Sequence, residues 1–105
     1  LPASNSSVIS TYIYKKISHS VQNDNAFASV YAGIKLTGGI GSKWQGIYVQ
    51  EVVPGSPASE EGTIQPNDKI VYICGKCTLG MTLEDAVKVC ESAPRTVRFK
   101  AMRLD

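Results

Sequence analysis

The sequence predicts a mainly β domain with two helices: five to six short strands, one stubby helix and one longer one. Three observations carry this expectation. Short β-branched and aromatic runs recur along the chain, among them Thr11-Tyr12-Ile13-Tyr14-Lys15-Lys16-Ile17 and Ile47-Tyr48-Val49-Gln50-Glu51-Val52. Glycine and proline clusters such as Gly38-Gly39 and Pro54-Gly55 separate them. One stretch, beginning at Thr82, combines an N-terminal capping pattern with apolar residues at helical spacing.

Taken in order, residues 1–10 are rich in small polar residues and read as a flexible linker. The first strand is placed at 11–17, with Ile17-Ser18-His19-Ser20-Val21 as an alternative, and Gln22-Asn23-Asp24-Asn25 marks a loop. A small-residue turn at Ala32-Gly33 leads into the alternating segment Ile34-Lys35-Leu36-Thr37, which Gly38-Gly39 stops. Glycine enters backbone conformations closed to other residues, so successive N–H groups here can converge into an anion-binding nest. The following loop carries the single tryptophan, Trp44, and is expected to be exposed. After the strand at 47–52, Ser56 and Pro57 suit the cap and first position of a one-turn helix that Gly62 ends. The turn Gln65-Pro66-Asn67-Asp68 precedes a strand at 69–74, whose apolar run implies burial on both faces.

The longer helix starts at Thr82, with Asp85 completing the capping pattern and Glu84 and Asp85 facing the positive end of the dipole. Leu83, Ala86, Val87 and Cys90 form its apolar stripe, and Pro94 ends it. In the last strand Val97, Phe99 and Ala101 face one side, and Thr96, Arg98 and Lys100 the other.

A chain of 105 residues suits one domain, placed at 11–103 with 104–105 as a C-terminal linker. The formal charge of +2 gives no argument for nucleic acid as a partner. The longest apolar run, Ile70-Val71-Tyr72-Ile73-Cys74, is far short of the roughly 20 residues of a membrane span. No stretch reads as a signal peptide. Three cysteines, an odd number, argue against a disulfide framework and favour a reducing, intracellular compartment.

In this order the landmarks resemble those of a PDZ domain. Tyr31-Ala32-Gly33-Ile34 stands where that family carries its Gly-Leu-Gly-Phe carboxylate-binding loop. Gly46-Ile47-Tyr48-Val49, Pro66-Asn67-Asp68-Lys69-Ile70 and Ile73-Cys74-Gly75 look like the next strand, the Gly-Asp turn and the Val-Asn-Gly of the family. The resemblance implies a partly open antiparallel β-sandwich capped by two helices, with the strand order of animal scaffold proteins. Two departures stand out: Tyr31-Ala32 replaces Gly-Leu, and Asn67 replaces a glycine, Asn being the residue best able to tolerate left-handed geometry in its place.

The resemblance also implies a function. A partner's C-terminal tail would add as a strand between 34–37 and the helix at 82–91, its carboxylate held by N–H groups of the Tyr31, Ala32, Gly33, Ile34 loop. Ala32, Ile34, Leu36, Val87 and Cys90 would line the pocket for the last ligand side chain. Thr37 would lie further along the strand, and Lys35, on its opposite face, would favour an acidic ligand residue. Where many relatives carry a histidine that bonds a ligand Ser or Thr, this chain has Leu83, so a hydrophobic-x-hydrophobic-COOH end is expected. Affinity should be micromolar, about −8 kcal/mol. Tails of membrane or signalling proteins are the expected partners, met in the cytoplasm at the inner face of the plasma membrane or at cell junctions, by a monomeric, non-catalytic domain.

Other readings accompany this one. Lys15, Lys16, Arg98, Lys100 and Arg103 could gather where the first and last strands meet and contact anionic lipid such as a phosphoinositide; a solvated face is the plainer reading. Cys74-Gly75-Lys76-Cys77 has the spacing of a redox pair or half a zinc site, but its strand-turn-strand setting and scattered further ligands favour plain thiols. No metal, cofactor or catalytic group is expected, and His19 has no suggested catalytic partner.

Overall fold

The computed structural model describes residues 6–14, 32–43, 45–93 and 95–104. Within them, strand β1 spans Ser6–Tyr14, β2 Ile34–Gly38, β3 Ile47–Val52, β4 Lys69–Ile73, β5 Lys76–Cys77 and β6 Thr96–Leu104. Helix α1 is Pro57–Glu61 and α2 is Leu83–Ser92. The strands form one antiparallel sheet in the order β1-β6-β4-β3-β2, with β5 pairing on β4. The expected mainly β architecture with one short and one longer helix is the one observed.

Both helix starts follow from their sequences. Ser56 caps α1 by accepting the Ser59 N–H at 3.2 Å, Pro57 follows it, and Gly62 ends the helix at φ 81°. In α2 the Thr82 hydroxyl accepts from the Asp85 N–H at 3.0 Å, and the Asp85 carboxylate accepts from the Thr82 N–H at 3.3 Å. This reciprocal box satisfies two donors that a helix start leaves without intrahelical partners.

The core is built from one face of the sheet. Ile13, Ile34, Ile47, Val49, Ile70, Ile73, Val97, Phe99 and Ala101 are buried there, joined by Ala58 from α1 and by Ala86 and Cys90 from α2. The alternation expected for β6 is therefore present.

Leu104, expected in a C-terminal linker, is the last residue of β6 and pairs with Ser6. Two further expectations need correction. The first strand starts at Ser6, not at residue 11: Ser6 to Ser10 pair with Leu104 to Lys100, so this stretch is sheet and not linker. The three serines hold strand geometry there beside the β-branched Val8 and Ile9 because β6, equally long, supplies backbone partners. The strand is described as far as Tyr14; Lys15, Lys16, Ile17, the alternative strand at 17–21, His19 and Trp44 lie outside the described residues.

Burial of both faces of β4 is the second. Ile70 and Ile73 are fully buried, but Tyr72 is 41% exposed. A register shift between Ile70 and Tyr72 against β6 lets two residues three apart both face the core. The opposite face stays open, with the Lys100 ammonium 5.7 Å from the centre of the Tyr72 ring.

Candidate functional site

Among the described residues β2 is the terminal strand of the sheet, pairing with β3 on one side only. Its other side faces α2. A terminal strand presents unpaired N–H and C=O groups that a second chain can use. Between β2 and α2 the sequence places apolar side chains of two kinds. Ala32, Ile34 and Cys90 are in the core and form a floor, whereas Leu36, Leu83 and Val87 are only half-buried against it. Thr37 is also half-buried and Lys35 exposed. The expected groove residues are thus brought together around one apolar strip; Tyr31 lies outside the described residues.

The turn at the head of β2 is fixed by contacts from two elements. Gly33 adopts φ 88°, a conformation for which glycine has no steric cost. Its carbonyl accepts the Val53 N–H at 2.7 Å, and a Cβ at this position would overlap the Ser56 side chain that caps α1. The turn is therefore wedged against the end of β3 and the start of α1.

At the other end, the β2–β3 loop touches the start of α2. The Ile40 N–H donates to the Met81 carbonyl at 2.9 Å, and a Cβ on Gly39 would lie 2.5 Å from the Leu83 nitrogen. Gly39 itself sits at φ 99°. This backbone-to-backbone approach ties the β2–β3 loop to the start of α2 beside Leu83. In the sequence Gly38-Gly39 reads as a strand stop, and the glycine pair is the one local signal of the contact.

Lys35 has a neighbour that its sequence environment does not announce. Its ammonium lies 3.4 Å from the Glu51 carboxylate, both side chains being about half exposed at 54% and 50%. The pair arises because a register shift after Lys35 leaves it directly opposite Glu51 on β3.

Arg103 is not available to the basic surface suggested by the sequence. Its Nε and Nη2 donate to the two carboxylate oxygens of buried Asp68, each at 2.7 Å, and Nη2 also donates to the Thr63 carbonyl at 2.7 Å. Cys74 and Gly75, at φ 51° and 83°, form a two-residue turn between β4 and β5; Cys74 is half-buried and Cys77 exposed.

A family model of the PDZ domain matches residues 27–102. The chain belongs to the PDZ domain family. It is 35% identical over 106 residues to the InaD-like protein of Canis lupus familiaris, a match covering 97% of this chain and 5% of that protein. It is 38% identical over 71 residues to tyrosine-protein phosphatase non-receptor type 13 of Mus musculus, covering 68% of this chain and 3% of that protein. Among solved structures, the Dlg1 PDZ2 domain of the choanoflagellate Monosiga brevicollis superposes with a TM-score of 0.68 at 21% identity, covering 88% of this chain and 96% of that one. The chain thus spans a twentieth or less of these curated relatives, 5% and 3% of their lengths. The PDZ domain is a non-catalytic protein-interaction module, and its members bind the C-terminal tails of partner proteins.

Proposed function

We propose that this PDZ domain captures free C-terminal tails by strand addition along β2, with the tail lying between β2 and α2. The observation that carries the reading is the open side of β2, facing the half-buried Leu36, Leu83 and Val87 and headed by the Gly33 turn. In an antiparallel addition the ligand's end lies at the head of β2, where N–H groups of the Tyr31–Ile34 loop would receive its carboxylate. Each such charge-assisted bond contributes about 1.5–3 kcal/mol.

The last ligand side chain would rest on Ala32, Ile34 and Cys90, walled by Leu36 and Val87. Two residues back, a ligand side chain would meet Leu83, which offers neither donor nor acceptor. An aliphatic residue gains about 1.5–3 kcal/mol from burial there, while a buried hydroxyl goes unpaired. The preference is therefore hydrophobic-x-hydrophobic-COOH. Any acidic preference exerted by Lys35 competes with Glu51 and is small, because exposed ion pairs contribute about 0–1 kcal/mol. Tails of membrane or signalling proteins, presented at the cytoplasmic face of the plasma membrane or at junctions, are the natural partners of such a module within a longer scaffold.

Calorimetric titration with two peptides identical except for endings Val-Tyr-Val and Thr-Tyr-Val tests the Leu83 assignment. The first is expected to bind at least about fivefold more tightly, and Leu83→His should narrow or reverse the difference. Tighter binding of the threonine peptide to the unmodified domain would refute it.

A further inference from the structure

β2 is five residues long, Ile34–Gly38. A tail paired antiparallel with it, its last residue at the head of the strand, finds backbone partners for five residues. The fifth residue from its end then lies near Gly38. Alternate side chains of a strand face the same way, so the fifth shares the α2 side with the last and the third. It stands about 6.8 Å beyond the side chain assigned to Leu83. Leu83 is the first residue of α2, so the tail passes the end of the helix there.

Beyond Gly38 the chain turns toward that helix end and carries Ile40 with it. The Ile40 N–H bond to the Met81 carbonyl attaches it to the residue two before Leu83. Its own turn is closed twice. The Ser42 N–H donates to the Gly39 carbonyl at 3.1 Å, and the Ser42 hydroxyl donates to the same oxygen at 2.7 Å. Gly41, in the third place, holds φ 89°, the mark of a type II turn with Ile40 at its corner. The Gly39 N–H donates to the Gly46 carbonyl at 2.8 Å and shuts the base of the loop. Ile40 is therefore held in place from both sides, yet it is 49% exposed.

A single exposed aliphatic residue is ordinary on a protein surface. Leu79 is such a residue, at 89% exposed. It too holds the second place of a turn, closed by the Met81 N–H on the Thr78 carbonyl at 3.0 Å, with Gly80 at φ 84°. The head of that turn is anchored on β4, where the Thr78 hydroxyl donates to the Ile70 carbonyl at 2.8 Å. Ile40 differs in following directly from the strand that the tail would extend.

We infer that Ile40 selects the fifth residue from the end of the tail, favouring an aliphatic side chain there. The inference rests on the strand-addition reading and adds a position to it, so the preferred end becomes aliphatic-x-hydrophobic-x-hydrophobic-COOH. A side chain already fixed by its turn loses little freedom when a ligand residue covers it, so even a half-open contact registers in affinity.

Calorimetric titration with two free-acid peptides, ending Leu-Thr-Val-Tyr-Val and Ser-Thr-Val-Tyr-Val, tests it. The leucine peptide should bind the unmodified domain about fivefold more tightly. Ile40→Ser should bring the two peptides within about twofold of each other, whereas Ile40→Leu and Leu79→Ser should keep the difference. All three variants should retain the thermal unfolding midpoint of the unmodified chain. Micromolar binding of both peptides with equal affinity would overturn the inference alone. So would a difference that survives Ile40→Ser or is lost equally in Leu79→Ser. Binding of neither peptide would overturn the strand-addition reading and this inference together.

Discussion

Single residues decide several features of this domain, and some of them are readable in advance. Asn67 adopts φ 76°, as expected of a residue standing where the family carries a glycine and able to tolerate left-handed geometry. Cys74 is the less expected case. It occupies the first place of a two-residue turn at φ 51°, followed by Gly75 at 83°, a conformation for which Asn-Gly is the favoured pair. Cys74→Asn should therefore stabilise the domain by about 1 kcal/mol, read from urea unfolding; a loss of stability would show that the half-buried thiol matters more than the backbone. The Asp68–Arg103 pair was not legible at all. The partners are 35 residues apart, and nothing near either one in sequence names the other. Asp68 is 1% exposed and also accepts the Gln65 N–H at 2.9 Å, so it ties β6 to the turn before β4. Asp68→Asn should cost about 3 kcal/mol by leaving the guanidinium without its counter-charge. A cost under about 1 kcal/mol in the same unfolding measurement would reduce the pair to a surface contact.

Elements were legible where their signals are local. The capping box of α2 and the Ser56-Pro57 start of α1 lie within a few residues of the helices they begin, and both form as their spacing implies. Strand limits were less so, because pairing is set by the partner. Ser6 to Ser10 belong to β1 because residues 100–104 of β6 pair with them, and the open face of β4 depends on a register shift against the same strand. The two elements proposed to flank the ligand show the same limit: the sequence reading named β2 and α2, but not the backbone contact between the β2–β3 loop and the start of α2. Gly39→Ala and Gly41→Ala separate its two components. Both glycines have positive φ, at 99° and 89°, but a Cβ at Gly41 meets open space while one at Gly39 meets Leu83. Both variants should lose about 1–2 kcal/mol through backbone strain. Only Gly39→Ala should break the Ile40–Met81 bond, seen as faster hydrogen exchange of the Ile40 amide and a changed affinity for the tail peptide. Equal behaviour of the two variants would mean that the contact does not influence the tail site.

At the scale of the molecule, the sheet exposes two distinct surfaces, and each follows from topology. The order β1-β6-β4-β3-β2 leaves β2 at a boundary beside α2, which makes the groove, and turns the alternate residues of β1 and β6 outward on an outer face that includes Tyr12, Arg98 and Lys100. The architecture was legible because several short landmarks occur in a fixed order, and a match at 21% identity with a TM-score of 0.68 shows how little side-chain identity that order needs. Charge distribution was legible only in part: of the basic residues grouped from sequence, Arg103 is occupied by Asp68, while Arg98 and Lys100 remain on the outer face. A ligand site headed by the Gly33 turn should require a free carboxylate at the end of the tail. The direct measurement is a calorimetric titration of one peptide ending in Val-Tyr-Val, once as the free acid and once with its terminus amidated. Micromolar binding of the acid and a loss of at least about tenfold on amidation are predicted; equal affinity for the two forms would contradict it.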